Sequence, residues 1–119
     1  MPAPVEPIYL VIRDAALRSS LAAWLGLSGH EIVASQDLQA LVARPPAASG
    51  LFVIDGELLP AARAEWTAAL APLLPLARCV VLVAGEGGRF GPFGLADRRS
   101  ALPAIQRTIA RTGDRHAAG

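Results

Sequence analysis

The chain has 119 residues, a formal net charge of +1 and a hydrophobic content of 53%. This length fits one domain with its own core, and the hydrophobic content argues against disorder. A nearly neutral chain has no strong field to attract nucleic acid or an anionic membrane, so we expect neither as a direct partner.

The cysteine content and the N-terminal segment give expectations about the compartment. Cys79 lies within an apolar run and has no second cysteine to pair with, which is typical of a small buried residue in a reducing compartment. The first residues lack the basic flank and apolar segment of a signal peptide, and no stretch is long enough to span a membrane. We therefore expect a cytoplasmic protein.

The first third of the chain alternates predicted strands and helices. A buried strand over residues 7–12 precedes a helix that either Gly26 or Gly29 ends. The strand over residues 30–35 is shorter and more polar, as expected near the edge of a sheet. A second helix begins at Asp37.

The central element is the apolar run over residues 51–54, which ends in Asp55 and Gly56. A run this short and continuous is typical of a strand that is buried on both faces of a parallel sheet. Such a strand places its first polar residue at the carboxyl edge of the sheet, where open α/β sheets bind ligands. Asp55 is therefore a candidate functional residue, and capping of the next turn is the alternative role.

The second half of the chain contains a helix, a buried strand, a glycine-rich loop, a short strand and a final helix. In chain order these are residues 61–71, 77–84, 85–92, 93–96 and a helix capped by Ser100. Glycine and proline in the loop do not sustain a helix. We expect the tail to fray from Thr112, so that one domain over residues 1–119 has an ordered core at about residues 7–111 and a flexible tail over 112–119.

Strands that alternate with helices predict an α/β fold of three layers, with helices on both faces of a parallel sheet. Five strands fit the flavodoxin-like order 2-1-3-4-5, with the fourth helix lost or reduced to a turn. The first and third strands are neighbours in that order. Asp14, which follows the first strand and can cap the next helix, would then lie beside Asp55.

With Asp14 after the first strand and Asp55 after the third, the chain resembles the receiver domain of a two-component response regulator over about residues 7–111. In that family two acidic residues end the first strand and hold Mg²⁺, and the aspartate that ends the third strand accepts a phosphoryl group. The resemblance therefore implies that Asp55 is the phospho-acceptor position and that Asp14 and Asp55 are the acids of a magnesium site.

Several positions depart from the family pattern. Arg13 stands where the other acid is expected, and Val83 and Ala84 occupy the place of the hydroxyl residue that ends the fourth strand. Arg98 stands in place of the lysine after the fifth strand. Mg²⁺ prefers several oxygen ligands, whereas Arg13 supplies a fixed cation that can pair with either aspartate and replace the charge of the metal. We therefore expect a degenerate receiver that is not an enzyme, has no cofactor and works through protein contacts.

The final helix carries arginines at a spacing of four residues, Arg107, Arg111 and Arg115. They form a solvated face or a docking surface for an acidic partner helix. The resemblance implies a signalling protein as the partner: a histidine kinase, a phosphotransferase or an output regulator. Self-association into a homodimer is a further expectation, because the surface is rich in apolar residues and lacks the fourth helix.

Two other functions remain open. In the first, Asp55 is phosphorylated as in a working response regulator. In the second, an anion or nucleotide is held near the glycine-rich loop by Arg89, Arg98 and Arg99, because guanidinium groups suit phosphate.

Overall fold

A computed structural model of the chain describes residues 7–46, 50–73 and 78–118, with backbone alone from residue 111 onward. Strands and α-helices alternate along much of these ranges. They are β1 (Ile8–Val11), α1 (Ala15–Leu27), β2 (Ile32–Ser35), α2 (Leu38–Ala43), β3 (Leu51–Asp55), α3 (Trp66–Leu70), β4 (Cys79–Val83), β5 (Gly88–Phe90), β6 (Phe93–Asp97) and α4 (Ala101–Ala118). No helix within the described ranges is long and apolar enough to cross a membrane.

The strands form one sheet in the order β2-β1-β3-β4-β6-β5. All neighbouring strands are parallel except β5, which pairs antiparallel with β6. The predicted α/β class is confirmed, and the architecture is compatible with a flavodoxin-like fold. The predicted strand count and order are wrong, because residues 88–90, expected in a loop, form an additional edge strand.

The additional strand exists because the chain turns back sharply at Gly91 and Pro92. Gly91 has a φ of 58°, which glycine adopts without strain. The two residues that flank the turn, Phe90 and Phe93, then face each other across the hairpin. The ring of Phe90 packs edge-on against Trp66, with 5.6 Å between the ring centroids. No helix lies between β4 and β6, and every intervening residue is described.

The sheet separates two apolar cores, so that helices cover both of its faces. On one face, α1 and α4 contribute the buried side chains of Leu25 and Ile105. On the other face, α2 and α3 contribute Leu38 and Leu70. β3 passes between the two cores, and all five of its residues are buried. This explains why its sequence is an unbroken apolar run before Asp55.

The residues that begin and end α1 are among those predicted from the sequence. The side chain of Asp14 accepts hydrogen bonds from the backbone N–H groups of Ala16 and Leu17, at 2.8 and 3.1 Å. These contacts cap the helix, since its first N–H groups have no intrahelical partner. Of the two glycines proposed as the stop, Gly29 follows the end of the helix with a φ of 92°, and the helix passes through Gly26.

The boundaries of two helices differ from the prediction. The helix expected over residues 61–71 is a short 3-10 turn over Arg63–Glu65 followed by α3. The last helix is not capped by Ser100, whose side chain makes no hydrogen bond within the described part of the chain. A 3-10 turn leads into α4 instead, and Asp97 caps that turn by accepting from the N–H of Arg99 at 3.1 Å. The backbone of α4 continues to Ala118, past the point at which fraying was expected.

Candidate functional site

The carboxyl edge of the parallel strands brings together several residues that the sequence singled out. The register places Asp55 opposite Leu82 and Leu82 opposite Ala96, so the ends of three neighbouring strands align. Arg98 lies two residues beyond Ala96. Asp55 is 1% exposed, and it is the one buried polar or charged residue among those the structure describes.

Both carboxylate oxygens of Asp55 have hydrogen-bond donors. Oδ2 accepts from the backbone N–H of Arg13 at 3.1 Å, and Oδ1 accepts from the N–H of Glu57 at 3.0 Å. Nη2 of Arg98 also donates to Oδ1 and forms an ion pair with the carboxylate. A buried charge is tolerated when it is both paired and hydrogen-bonded, and Asp55 meets both conditions. Its bond to Glu57 also caps a 3-10 turn, so the alternative capping role applies as well.

Arg98 joins Asp55 to a second carboxylate. Its Nη1 donates to Oε1 of Glu57 at 2.8 Å. Partial burial acts to lower the pKa of Arg98, but the charge of Asp55 and the hydrogen bonds to both carboxylates outweigh it and raise the pKa above its ordinary value. The guanidinium is therefore a permanent cation at this edge of the sheet. Its Nε is buried without a hydrogen-bond partner, so only the terminal nitrogens are used.

Gly56 allows the turn after Asp55 to lie directly against β4. A Cβ atom at this position would be 2.7 Å from the carbonyl oxygen of Leu82 and 3.3 Å from a methyl carbon of Val83. The first distance is too short for any side chain, because the opposing atom belongs to the backbone of a central strand. The absence of a side chain thus fixes where the carboxylate emerges from the sheet.

Arg13 contributes to the site in a different way from the one predicted. Its backbone N–H binds Asp55, whereas its guanidinium is exposed and forms no ion pair with a described residue. Arg98, not Arg13, supplies the cation that pairs with Asp55. Asp14 is exposed, and its carboxylate caps α1. The two aspartates therefore lie at the same edge of the sheet but serve different local structures.

The residues present do not fit the magnesium site that the receiver resemblance implies. Mg²⁺ needs several oxygen ligands in near-octahedral geometry. Asp14 is engaged with the helix terminus, and Asp55 is engaged with two amides and a guanidinium. Within the described ranges, no three His, Cys, Asp or Glu side chains converge as metal ligands.

The end of β4 lies beside the ion pair without contributing a polar side chain. Val83 is the last residue of the strand and pairs with Asp97 in the register. Val83 is half-buried, and Ala84 is exposed. Neither side chain carries a hydroxyl that could form a hydrogen bond with a phosphoryl group on Asp55.

A second charged cluster, between the 3-10 turn before α3 and the segment after β4, was not recognised in the sequence. Nη1 of Arg63 donates to Oε1 of Glu86 at 2.9 Å, and Nη2 donates to Oε2. These hydrogen bonds raise the pKa of Arg63 and lower that of Glu86. The guanidinium also lies 5.3 Å from the ring centroid of Trp66 and 5.6 Å from that of Phe90. The segment predicted as a glycine-rich loop is therefore held by Arg63 at Glu86, just before β5, and at Phe90, the last residue of β5.

The arginines proposed as an anion site do not converge. Arg98 is engaged at Asp55, Arg99 is exposed, and Arg89 lies on the edge strand. In the arginine stripe of the last helix, Arg107 is exposed. The side chains of Arg111 and Arg115 lie outside the described residues.

Comparison of the chain with models of protein families, with curated proteins and with solved structures found no match. The candidate site is therefore characterised by its own geometry. It consists of a buried aspartate at the carboxyl edge of a parallel sheet, held by two backbone amides and one arginine.

Proposed function

We propose that this chain is a receiver-like signalling module that works through protein contacts rather than through Mg²⁺-dependent phosphotransfer. The observation that carries the proposal is the ion pair between Asp55 and Arg98. Asp55 ends the third strand and lies beside β1, and Arg98 follows the last of the parallel strands. In the receiver family these are the positions of the acceptor aspartate and the lysine, and this correspondence supports the relationship.

The surroundings of Asp55 argue against phosphotransfer as its working role. Transfer requires an in-line approach to a free carboxylate oxygen, with cations to neutralise the charge on the transferring oxygens. Asp55 is 1% exposed and accepts three hydrogen bonds, one of them from a guanidinium. A phosphoryl donor would reach it only after the surrounding residues had moved and exposed a buried charge. We infer that Asp55 is a structural anchor for the edge of the sheet.

The surface that we assign to partner binding is the arginine stripe of α4, which begins at Arg107. Residues four apart lie on one face of a helix, so the sequence places arginines at positions 107, 111 and 115 along one side of α4. Such a stripe would attract an acidic helix of a histidine kinase, a phosphotransferase or an output regulator. Charge reversal by Arg107→Glu with Arg111→Glu should abolish binding to such a partner, or to a second copy of the chain.

The proposal is tested by adding Mg²⁺ and beryllofluoride, a phosphoryl mimic, while recording amide NMR spectra. We expect the resonances of Arg13, Asp55 and Glu57 to remain in place. The Arg98→Met variant is the matched control, because it removes the guanidinium from Oδ1 of Asp55 and keeps both amide donors. Large and saturable shifts in the unmodified chain would contradict the proposal.

One observation favours the alternative that Asp55 is a working phospho-acceptor. The amides of Arg13 and Glu57 and the guanidinium of Arg98 are donors that also suit phosphoryl oxygens. If Asp55 is a phospho-acceptor, incubation with acetyl phosphate should attach an acid-labile phosphoryl group. Intact mass spectrometry would detect it as an increase in mass. The increase must disappear in Asp55→Asn for the alternative to replace our proposal.

A further inference from the structure

A groove of about 250 Å³ opens between the β5 edge of the sheet and α4, and none of the residues discussed at Asp55 lines it. Its floor lies where three neighbouring strands align, with Gly94 of β6 opposite Val80 on one side and Arg89 on the other. Gly94 has no side chain, which leaves a depression between these two neighbours. Arg107 and Thr108 of α4 form the facing wall.

Arg89 points into this groove because of strand alternation. Its neighbour Phe90 packs against Trp66 on the opposite face of the sheet. Successive side chains of a strand point to opposite faces, so Arg89 lies on the α4 side. The lining of the groove includes Arg89 as well as Arg107. Arginines from two different elements, β5 and α4, therefore line one concave surface.

Among the described residues, no carboxylate compensates the charge of the groove. The described part of its lining contains these two arginines and no carboxylate. Arg89 donates from Nη2 to the carbonyl of Pro92 at 3.2 Å, which neutralises no charge. Arg107 forms no ion pair with a described residue. In contrast, Arg63 and Arg98 are each paired with carboxylates elsewhere in the fold.

We propose that this groove binds the phosphate group of a small organic phosphomonoester. A phosphate dianion balances two cations, and guanidinium groups match phosphate oxygens with paired hydrogen bonds. The apolar side chains of Val80 and Ala104 offer a surface for the organic part. Pockets for drug-sized ligands have volumes of roughly 300–1,000 Å³, so a groove of this size suits a compound smaller than a nucleotide. The proposal goes beyond the signalling role and is independent of the state of Asp55.

The test is an amide NMR titration of the full chain with phenyl phosphate, and with inorganic phosphate and benzoate in parallel. Phenyl phosphate should cause saturable shifts at Gly88, Arg89 and Gly94. Inorganic phosphate should bind more weakly because it lacks the apolar part, and benzoate more weakly because it carries a single charge. Equal affinity for inorganic phosphate would overturn the assignment of an organic ligand, and the absence of saturable shifts would overturn the site.

Three substitutions make the test specific. Arg107→Gln removes one charged contact and should weaken phenyl phosphate binding about tenfold. Arg44→Gln is the matched control, since this exposed arginine follows α2 on the other face of the sheet and its loss changes the net charge equally. Equal weakening in both variants would mean general charge attraction and would refute the site.

The third substitution, Gly94→Val, fills the floor of the groove without changing any charge. A Cβ at this position would lie 3.5 Å from a methyl carbon of Val80, which is an ordinary contact, and valine suits a strand. We expect the variant to fold and to lose phenyl phosphate binding. Retained binding in a folded Gly94→Val protein would show that the ligand does not occupy the groove.

Discussion

Replacing Arg98 with methionine should destabilise the fold by removing the cation that pairs with Asp55. Methionine keeps an aliphatic stem but leaves the carboxylate with the N–H groups of Arg13 and Glu57 as its donors. Breaking a fully buried ion pair on one side costs about 3–5 kcal/mol. The side chain of Arg98 is 27% exposed, so solvent reduces this cost, and the amides continue to stabilise the charge. We expect a loss of about 2–3 kcal/mol in the free energy of unfolding.

Urea unfolding followed by tryptophan fluorescence measures this loss, because Trp66 is buried and reports on the core. Glu57→Gln is the matched control, since it removes the other carboxylate of the same arginine. The side chain of Glu57 is 53% exposed, and a surface pair of this kind contributes about 0–1 kcal/mol. If Arg98→Met destabilises the protein no more than Glu57→Gln does, the argument that Arg98 holds a buried charge is refuted.

Three further predictions concern the thiol, the glycines and the helix cap. Burial raises the pKa of the Cys79 thiol to about 12. The contribution of this thiol to the free energy of unfolding is therefore fully present below the pKa of the unfolded chain, and it is lost as the pH rises through the pKa of the folded protein. The free energy of unfolding should fall by about 1.4 kcal/mol per pH unit between these two pKa values, and Cys79→Ala should remove that slope in urea titrations at alkaline pH. Gly56→Ala should destabilise the fold by about 1–3 kcal/mol because its Cβ meets the carbonyl of Leu82, whereas Gly26→Ala, in open space within α1, should stabilise it by about 0.5–1 kcal/mol in thermal melts. Asp14→Ala should cost about 1 kcal/mol as a lost cap, and a dependence of this cost on Mg²⁺ would contradict the capping role.

The parts of the fold that could be predicted from the sequence depend on local patterns. The apolar run before Asp55 is continuous because β3 lies between two cores, and this pattern located both the strand and its carboxyl edge. The cap at Asp14 was equally recognisable, since it depends on residues within one helical turn. The position of Arg98 after the last parallel strand was visible in the same way.

The contacts that the sequence did not reveal depend on the way distant segments meet. Arg98 reaches Asp55 across 43 positions, and only the register of three strands brings them together. Arg13 binds Asp55 through its backbone N–H, and the type of a residue does not predict a contact that its backbone makes. β5 was missed because its glycines indicate a loop, and a strand of three residues has too little pattern to outweigh them. A usable signal was the pair Phe90 and Phe93 on either side of a turn of two residues.

The hairpin formed by β5 and β6 also determines how the sheet meets solvent. Without β5, the outermost strand on this side would be β6, and its outward-pointing N–H and C=O groups would be unpaired. β5 pairs with the first three residues of β6 and makes an edge of only three residues, which begins at Gly88 and ends at the turn of Gly91, both with positive φ. Short, irregular margins are poor templates for another chain to extend. The hairpin therefore limits strand addition and aggregation at this edge of the sheet.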